Sequence, residues 1–156
     1  MTPDQAQSLL TIADAAVAAE RATGCPAELS AAQCIIESAW LTRSPGNNCF
    51  GIKATDDNCT YCLTKEFIDG TWTSPTLAFE AYPTLADCFS AHARLLQGGV
   101  YAAVWSRYKA DHDLDSYIQG IAVHYATAPD YAAQIIQLAH GPHVTADVVA
   151  AREKGV

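Results

Sequence analysis

Glu37 is the residue best placed to do acid–base chemistry. Charged residues make up 17% of the chain, yet across residues 31–41 Glu37 is the only one. At about 100° per residue, Ala32, Ile35, Ile36, Ala39 and Trp40 share one stripe of a helix. Glu37 falls just outside that stripe, three residues before Trp40. A carboxyl where a buried surface meets an opening, against an aromatic wall, loses hydration, and its pKa rises. A general acid working near neutral pH needs that shift. The competing reading is a solvated glutamate on an amphipathic helix, and the pattern alone leaves both open.

Cysteine is the second source of chemistry. The chain has 6 cysteines, at positions 25, 34, 49, 59, 62 and 88, an even count that invites disulfides, with free thiols or a metal as the alternatives. Cys59 and Cys62 form a C-x-x-C pair, but no second close Cys/His pair accompanies it for zinc, and no βαβ context for thioredoxin-type redox work. No metal site and no organic cofactor is expected.

The elements that must carry these residues are mostly helical. Thr2-Pro3-Asp4-Gln5 is a helix start with a capping box, and Leu9, Leu10, Ile12, Ala13, Ala16 and Val17 recur at helical spacing until Gly24. Ser30-Ala31-Ala32-Gln33 has the form of a second capping box and predicts a helix to about Leu41. A turn cluster follows at residues 44–48. From Leu63 the period changes to two, reaching a hairpin turn at Asp69-Gly70, and a returning strand broken by Pro75 runs to about Tyr82. Thr84 caps a helix bearing Leu85, Cys88, Phe89, Leu95 and Leu96 and stopped by Gly98-Gly99. A short helix follows around residues 101–108. Asp113 caps another with Leu114, Tyr117, Ile118, Ile121, Ala122 and Tyr125 on one stripe. Pro129 begins a last helix that ends at Gly141-Pro142. The expected fold class is α+β, mainly α: a helical domain over residues 1–141 with one β-hairpin lobe. Residues 142–156 form a tail, either a docked helix or without order.

Composition closes off several functions. With 9 basic and 17 acidic residues the net charge is −8, and no stretch clusters Lys or Arg, so nucleic acid is not an expected partner. No run of about 18 apolar residues exists, so no membrane insertion is expected. Residues 1–7 hold no basic stretch leading into an apolar one, so no secretory signal is expected there.

Five segments carry a family resemblance. Glu37-Ser38-Ala39-Trp40, then Gly46-Asn47-Asn48-Cys49-Phe50-Gly51-Ile52-Lys53-Ala54, resembles the E-S-G/A-W and N-N-x-F-G-I-K patterns of glycoside hydrolase family 73, bacterial N-acetylglucosaminidases that cleave peptidoglycan. Thr64-Lys65-Glu66-Phe67 before Asp69-Gly70 is similar to that family's hairpin motif, and Phe79-Glu80-Ala81-Tyr82 to its F-r-x-Y. His124-Tyr125-Ala126-Thr127-Ala128-Pro129-Asp130-Tyr131-Ala132 is similar to its G-Y-A-T-D-P-x-Y-A. The matches keep the family's order across roughly residues 5–140.

The resemblance implies a lysozyme-like fold and hydrolysis of β-1,4 glycosidic bonds next to N-acetylglucosamine in cell-wall peptidoglycan. By position it makes Glu37 the general acid, Glu66 a second carboxylate activating water, and Tyr125 a residue that orients the substrate N-acetyl group or stabilises charge. Asn48 and Phe50 would line the sugar cleft and Tyr131 would support it. Ala39 stands for the commoner Gly, a small change if it lies on a helix. Ala128 replaces an Asp that would cap the final helix. The rival readings are a lytic transglycosylase or muramidase on the same fold, and an inactive wall-binding module. The implied partners are peptidoglycan glycan strands and, for a delivered antibacterial effector, an immunity or inhibitor protein. A monomer is expected, acting on the wall from the periplasm or outside, bacteriolytic as a phage endolysin or a delivered effector.

Overall fold

The computed structural model describes residues 1–57, 59–63 and 66–155, with the backbone alone at 62 and 63. Its first element, α1 (Pro3–Thr23), starts on the expected capping box: Gln5 N donates to Thr2 Oγ1 at 3.2 Å and Thr2 N to Gln5 Oε1 at 2.9 Å. It ends at Gly24, whose φ of 80° is open to glycine at little cost. Leu9, Ile12, Ala13, Ala16 and Val17 form its buried face.

The second helix, α2 (Ala27–Ser38), differs from the expectation at both ends. Ser30 and Gln33 are not a capping box. Both are buried inside the helix, which starts instead after Pro26. The Ala27 N–H is satisfied from outside, by Glu20 Oε1 of α1 at 3.0 Å. A distant carboxylate thus does the work that a local side chain usually does. Nor is α2 amphipathic: Leu29, Ala31, Ala32, Cys34 and Ile35 are all buried, on every side.

At its far end the helix stops at Ser38, three residues early. Ala39, Trp40 and Leu41 all have left-handed backbones, with φ of 48°, 61° and 65°. Ser38 Oγ donates to Cys34 O at 2.6 Å and accepts from Leu41 N at 2.8 Å, holding the turn closed. Ala39 is therefore not a small change on a helix, because a Cβ in this region costs about 1–2 kcal/mol. Ala39→Gly relieves that strain while adding freedom to the unfolded chain, so it should stabilise by about 0.5–1 kcal/mol. Equilibrium denaturation of the two proteins checks this.

Strands β1 (Cys59–Leu63) and β4 (Thr76–Glu80) pair antiparallel, as do β2 (Glu66–Ile68) and β3 (Thr71–Thr73). Cys59 faces Glu80, Leu63 faces Thr76, Glu66 faces Thr73 and Ile68 faces Thr71, one continuous register. The expected hairpin is therefore present as a ribbon in two sections. It begins at Cys59 rather than Leu63 and turns at Asp69-Gly70, both at positive φ.

Helix α3 (Leu85–Gln97) opens on a Thr84–Asp87 capping box. A 3-10 turn leads into α4 (Ala102–Asp111), and Asp113 caps α5 (Leu114–Tyr125) through Ser116 N at 3.0 Å. The next helix, α6 (Tyr131–Ala139), follows Asp130 rather than Pro129. Ala128 thus lies before the cap position, and an Asp there would not be the N-cap of this helix. The tail is α7 (Pro142–Lys154), with Pro142 in its first turn and Val144, Val148 and Ala151 buried in the core cluster of α1. One core gathers α1, α7 and the start of α3; a second gathers α3, α5 and α6; α2 contributes to both. Among the described residues no helix is long and apolar enough to cross a membrane.

The five described cysteines, 25, 34, 49, 59 and 88, are free thiols, so the disulfide expectation is not met. Cys49 and Cys88 come within 3.8 Å of each other, against about 2.05 Å for an S–S bond. Four of the five are buried and pack as small hydrophobes. The Cys62 side chain lies outside the described part, and with it the C-x-x-C reading.

Candidate active site

A cleft of about 1010 Å³ runs between the end of α2, the 50–53 loop, α3 and the end of α5. Glu37, Phe50, Ile52, Lys53, Tyr125 and Ala128 are among the residues lining it. Glu37 reaches it from the last turn of a helix otherwise buried all round. The side chain is accessible from the cleft, while packing around its carboxyl removes enough hydration to raise the pKa above the usual 4.5. The Tyr131 hydroxyl, which donates to Glu37 Oε1 at 3.5 Å, pulls the other way and limits the rise.

Tyr131 is 7% exposed and not part of the cleft surface. It receives a hydrogen bond from Gln33 Nε2 at 3.0 Å, one helical turn before Glu37. Its ring stacks on Tyr125 with centroids 5.5 Å apart and 21° between planes. Removing the hydroxyl should therefore act twice. In Tyr131→Phe, Glu37 loses the hydrogen bond that favours its ionised form, so its pKa should rise further. Buried Gln33 also loses its acceptor, at a cost of about 1–3 kcal/mol. A carboxyl 13C NMR titration of Glu37 and a denaturation curve measure the two effects.

Phe50 does touch the cleft, on one edge. It is 7% exposed, stacks on His92 at 3.7 Å between centroids, and meets Phe89 edge-on at 4.9 Å. Asn48 is not on the cleft surface. Its Nδ2 donates to Ile52 O at 2.8 Å and Glu80 O at 3.0 Å, and its Oδ1 accepts from Phe50 N and Ile52 N. It pins the loop to β4 and so holds Phe50 and Lys53 in the wall. Gly51 allows this loop its positive φ of 65°. Glu66 stands at the start of β2, opposite Thr73, and is not among the residues lining the cleft with Glu37. Thr64 and Lys65 of the same motif lie outside the described residues.

Two residues here escaped the sequence reading. Gln33 was legible only as a cap. His92 lies on the apolar stripe of α3 with Cys88, Phe89 and Leu96, where a lone histidine passes as core; it is 2% exposed. Its Nε2 is 3.0 Å from the Tyr125 hydroxyl. Burial pushes its pKa down to about 3, so the ring is neutral. Burial likewise raises the Tyr125 hydroxyl, helped by nearby Tyr131 and Glu37, and keeps it protonated. Among the described residues, no three His, Cys, Asp or Glu side chains are grouped to hold a metal ion.

The sequence model of the glucosaminidase family, described as mannosyl-glycoprotein endo-beta-N-acetylglucosaminidase, matches residues 13–142. That span contains every residue of the cleft named above. The chain belongs to the glucosaminidase family. It is a glycosidase domain of glycoside hydrolase family 73, as its motifs implied. The chain is 33% identical over 122 residues to an autolysin of Enterococcus faecalis, covering 70% of this chain and 16% of that protein. It is 31% identical over 137 residues to a probable N-acetylmuramidase of Lactococcus lactis subsp. cremoris, covering 80% and 31%. It thus spans less than a third of the length of either relative. The fold is that of the catalytic domain of the Listeria monocytogenes autolysin Auto, with a TM-score of 0.80 at 21% identity, covering 94% of this chain and 89% of that one. A C-terminally truncated glycoside hydrolase domain of Salmonella typhimurium FlgJ gives 0.67 at 25% identity, covering 86% and 95%. The lysozyme-like helical fold with a small antiparallel lobe is therefore established.

Proposed function

We propose that this glucosaminidase hydrolyses β-1,4 glycosidic bonds next to N-acetylglucosamine in bacterial peptidoglycan, with Glu37 as the general acid. The observation that carries the reading is a carboxyl with a raised pKa that opens into the cleft beside Tyr125 and is, among the described residues, the one acidic side chain lining it. Protonated Glu37 donates to the leaving sugar oxygen as the bond breaks. Tyr125, kept neutral, hydrogen-bonds the N-acetyl group or the charge developing beside it. Phe50 forms part of the sugar-binding wall, Asn48 shapes that wall from behind, and Tyr131 tunes Glu37.

Glu66 is the second carboxylate in this proposal, activating water. It sits on the ribbon outside the cleft wall, so the ribbon has to fold toward Glu37 when a glycan strand binds. Its place there argues against an enzyme nucleophile and for water or the substrate's own acetamido group as the attacking species.

The muramidase reading has a specific support, since the Lactococcus relative is described as a probable N-acetylmuramidase. Both readings put the enzyme on the wall, in the periplasm or outside, as a monomer with a bacteriolytic effect. If it is delivered as an effector, the Glu37 cleft is the surface an immunity protein has to plug. Hydrolysis is tested by incubating purified sacculi with the protein and reducing the products with borohydride. New reducible sugar ends support it. Anhydro ends would mean a transglycosylase, and no ends at all a binding module.

A further inference from the structure

Tyr125, on the cleft, and Tyr131, stacked against it, are backed in the same way. Behind Tyr131 stands Gln33, and behind Tyr125 stands His92, each buried and each 3.0 Å from a hydroxyl oxygen. Each backing residue also has a second polar atom with no partner, Gln33 Oε1 and His92 Nδ1, and among the described residues these are the two buried side-chain atoms left so. For Gln33 the orphan is an acceptor, because its amide N–H is spent on Tyr131. Tyr131, receiving that bond, gives its own proton to Glu37.

The same choice faces His92. With a proton on Nδ1, a buried N–H would be left unpaired; with the proton on Nε2, only an acceptor lone pair is. Buried orphan donors are the rarer and costlier of the two. A neutral ring has one proton to place, and Phe50 lies flat on that ring, 7° from parallel, fixing its orientation with Nε2 3.0 Å from the tyrosine oxygen.

We infer that His92 is a positioning residue whose Nε2–H donates to the Tyr125 oxygen, so that the Tyr125 proton points into the cleft as a donor to an acceptor oxygen of the bound sugar, its acetamido carbonyl. The inference rests on the hydrolase reading above for its substrate and on the geometry alone for its proton. Tyr125 and His92 both border the cleft, but His92 is only 2% exposed, and its Nε2 meets the Tyr125 hydroxyl at 3.0 Å. With so little of its surface open, His92 acts on the substrate through that oxygen.

Long-range 1H–15N correlation on 15N-histidine-labelled protein reads the proton directly, with the His92 signals assigned by their absence in His92→Phe. Nε2 protonated and Nδ1 bare is the expected result; a proton on Nδ1, or on both, overturns the inference. Kinetics on peptidoglycan supply a second arm. Tyr125→Phe should lower kcat about 100-fold, and His92→Phe about 10-fold with KM little changed. In a Tyr125→Phe background the His92→Phe change should cost less than about twofold, since the shared contact is already gone. Full multiplication of the two losses overturns it. His92→Gln, whose amide N–H reaches the same oxygen, should recover most of the lost rate, and recovery no better than His92→Phe counts against the proposal. If the wild type cleaves no peptidoglycan, the hydrolase reading falls, whereas the tautomer is still read by NMR.

Discussion

Glu37→Gln should leave a folded protein whose kcat on peptidoglycan is about 10²–10⁴-fold lower. Glutamine keeps the size and polarity of the side chain and removes only the proton that the leaving oxygen needs. The cleft, Tyr125 and the Asn48-pinned loop remain, so KM should move far less than kcat. The wild-type profile should fall on its alkaline side as Glu37 ionises, with that limb above the ordinary glutamate value of 4.5 because desolvation outweighs the Tyr131 contact. The same shift has a stability sign. A carboxyl whose folded pKa is raised opposes folding wherever it is ionised in the unfolded chain, and has no such effect well below 4.5. Glu37→Gln should therefore raise Tm at neutral pH and not in strong acid. Initial rates and thermal melts over a pH series check both, and equal gains in Tm at all pH values would remove the desolvated-carboxyl explanation.

Arg152→Met should cause the largest loss of stability. Arg152 of α7 reaches Glu20 of α1 through Nε and Nη2 at 2.8 and 2.7 Å, and Glu28 of α2 through Nη1 and Nη2 at 2.7 and 2.8 Å. One guanidinium thus ties the tail helix to α1 and to α2, the helix that carries Glu37. Removing it leaves two carboxylates facing each other, with side chains only 24% and 18% exposed. Breaking a buried pair costs about 3–5 kcal/mol, and the 38% exposure of Arg152 screens part of that, so about 2 kcal/mol is expected. For a chain of this length that lowers Tm by roughly 4–8 °C. Burial raises the Glu20 pKa, but the bonds from Arg152 and Ala27 outweigh it and the net value is lowered. Its stabilisation is then present above pH 4.5, its unfolded value, and disappears as pH falls through the lower folded one. The melts of wild type and Arg152→Met should converge in acid; a gap that persists there would mean the loss is one of packing.

What was legible in the sequence was what short segments decide for themselves. Thr2 with Gln5, Thr84 with Asp87, and Asp113 with Ser116 close their caps within three residues, so the helices that follow could be placed. The Asp69-Gly70 turn set the ribbon's register in the same way. Ser30 and Gln33 offered an equally good cap and did not form one, because Glu20, a different helix away in space, already held the Ala27 N–H. The left-handed run at Ala39, Trp40 and Leu41 leaves no periodic mark, and so the helix was read too long.

The candidate site divides along the same line. Glu37 stood out as a lone charge, and Phe50 and Tyr125 came with the family motifs. That Asn48 works behind the wall rather than on it depends on hydrogen bonds to Glu80, 32 residues away. His92 looked like core because it is core, and only its distance to the Tyr125 oxygen gives it a further part. The position of Glu66 relative to Glu37 is set by how the ribbon leans, which no local pattern encodes.

Mass spectrometry of muropeptides released from purified sacculi tests the central claim most directly. The account predicts fragments ending in reducing N-acetylglucosamine from the wild type, and none from Glu37→Gln at the same protein concentration. Fragments ending in reducing N-acetylmuramic acid, or equal release by Glu37→Gln, would contradict it.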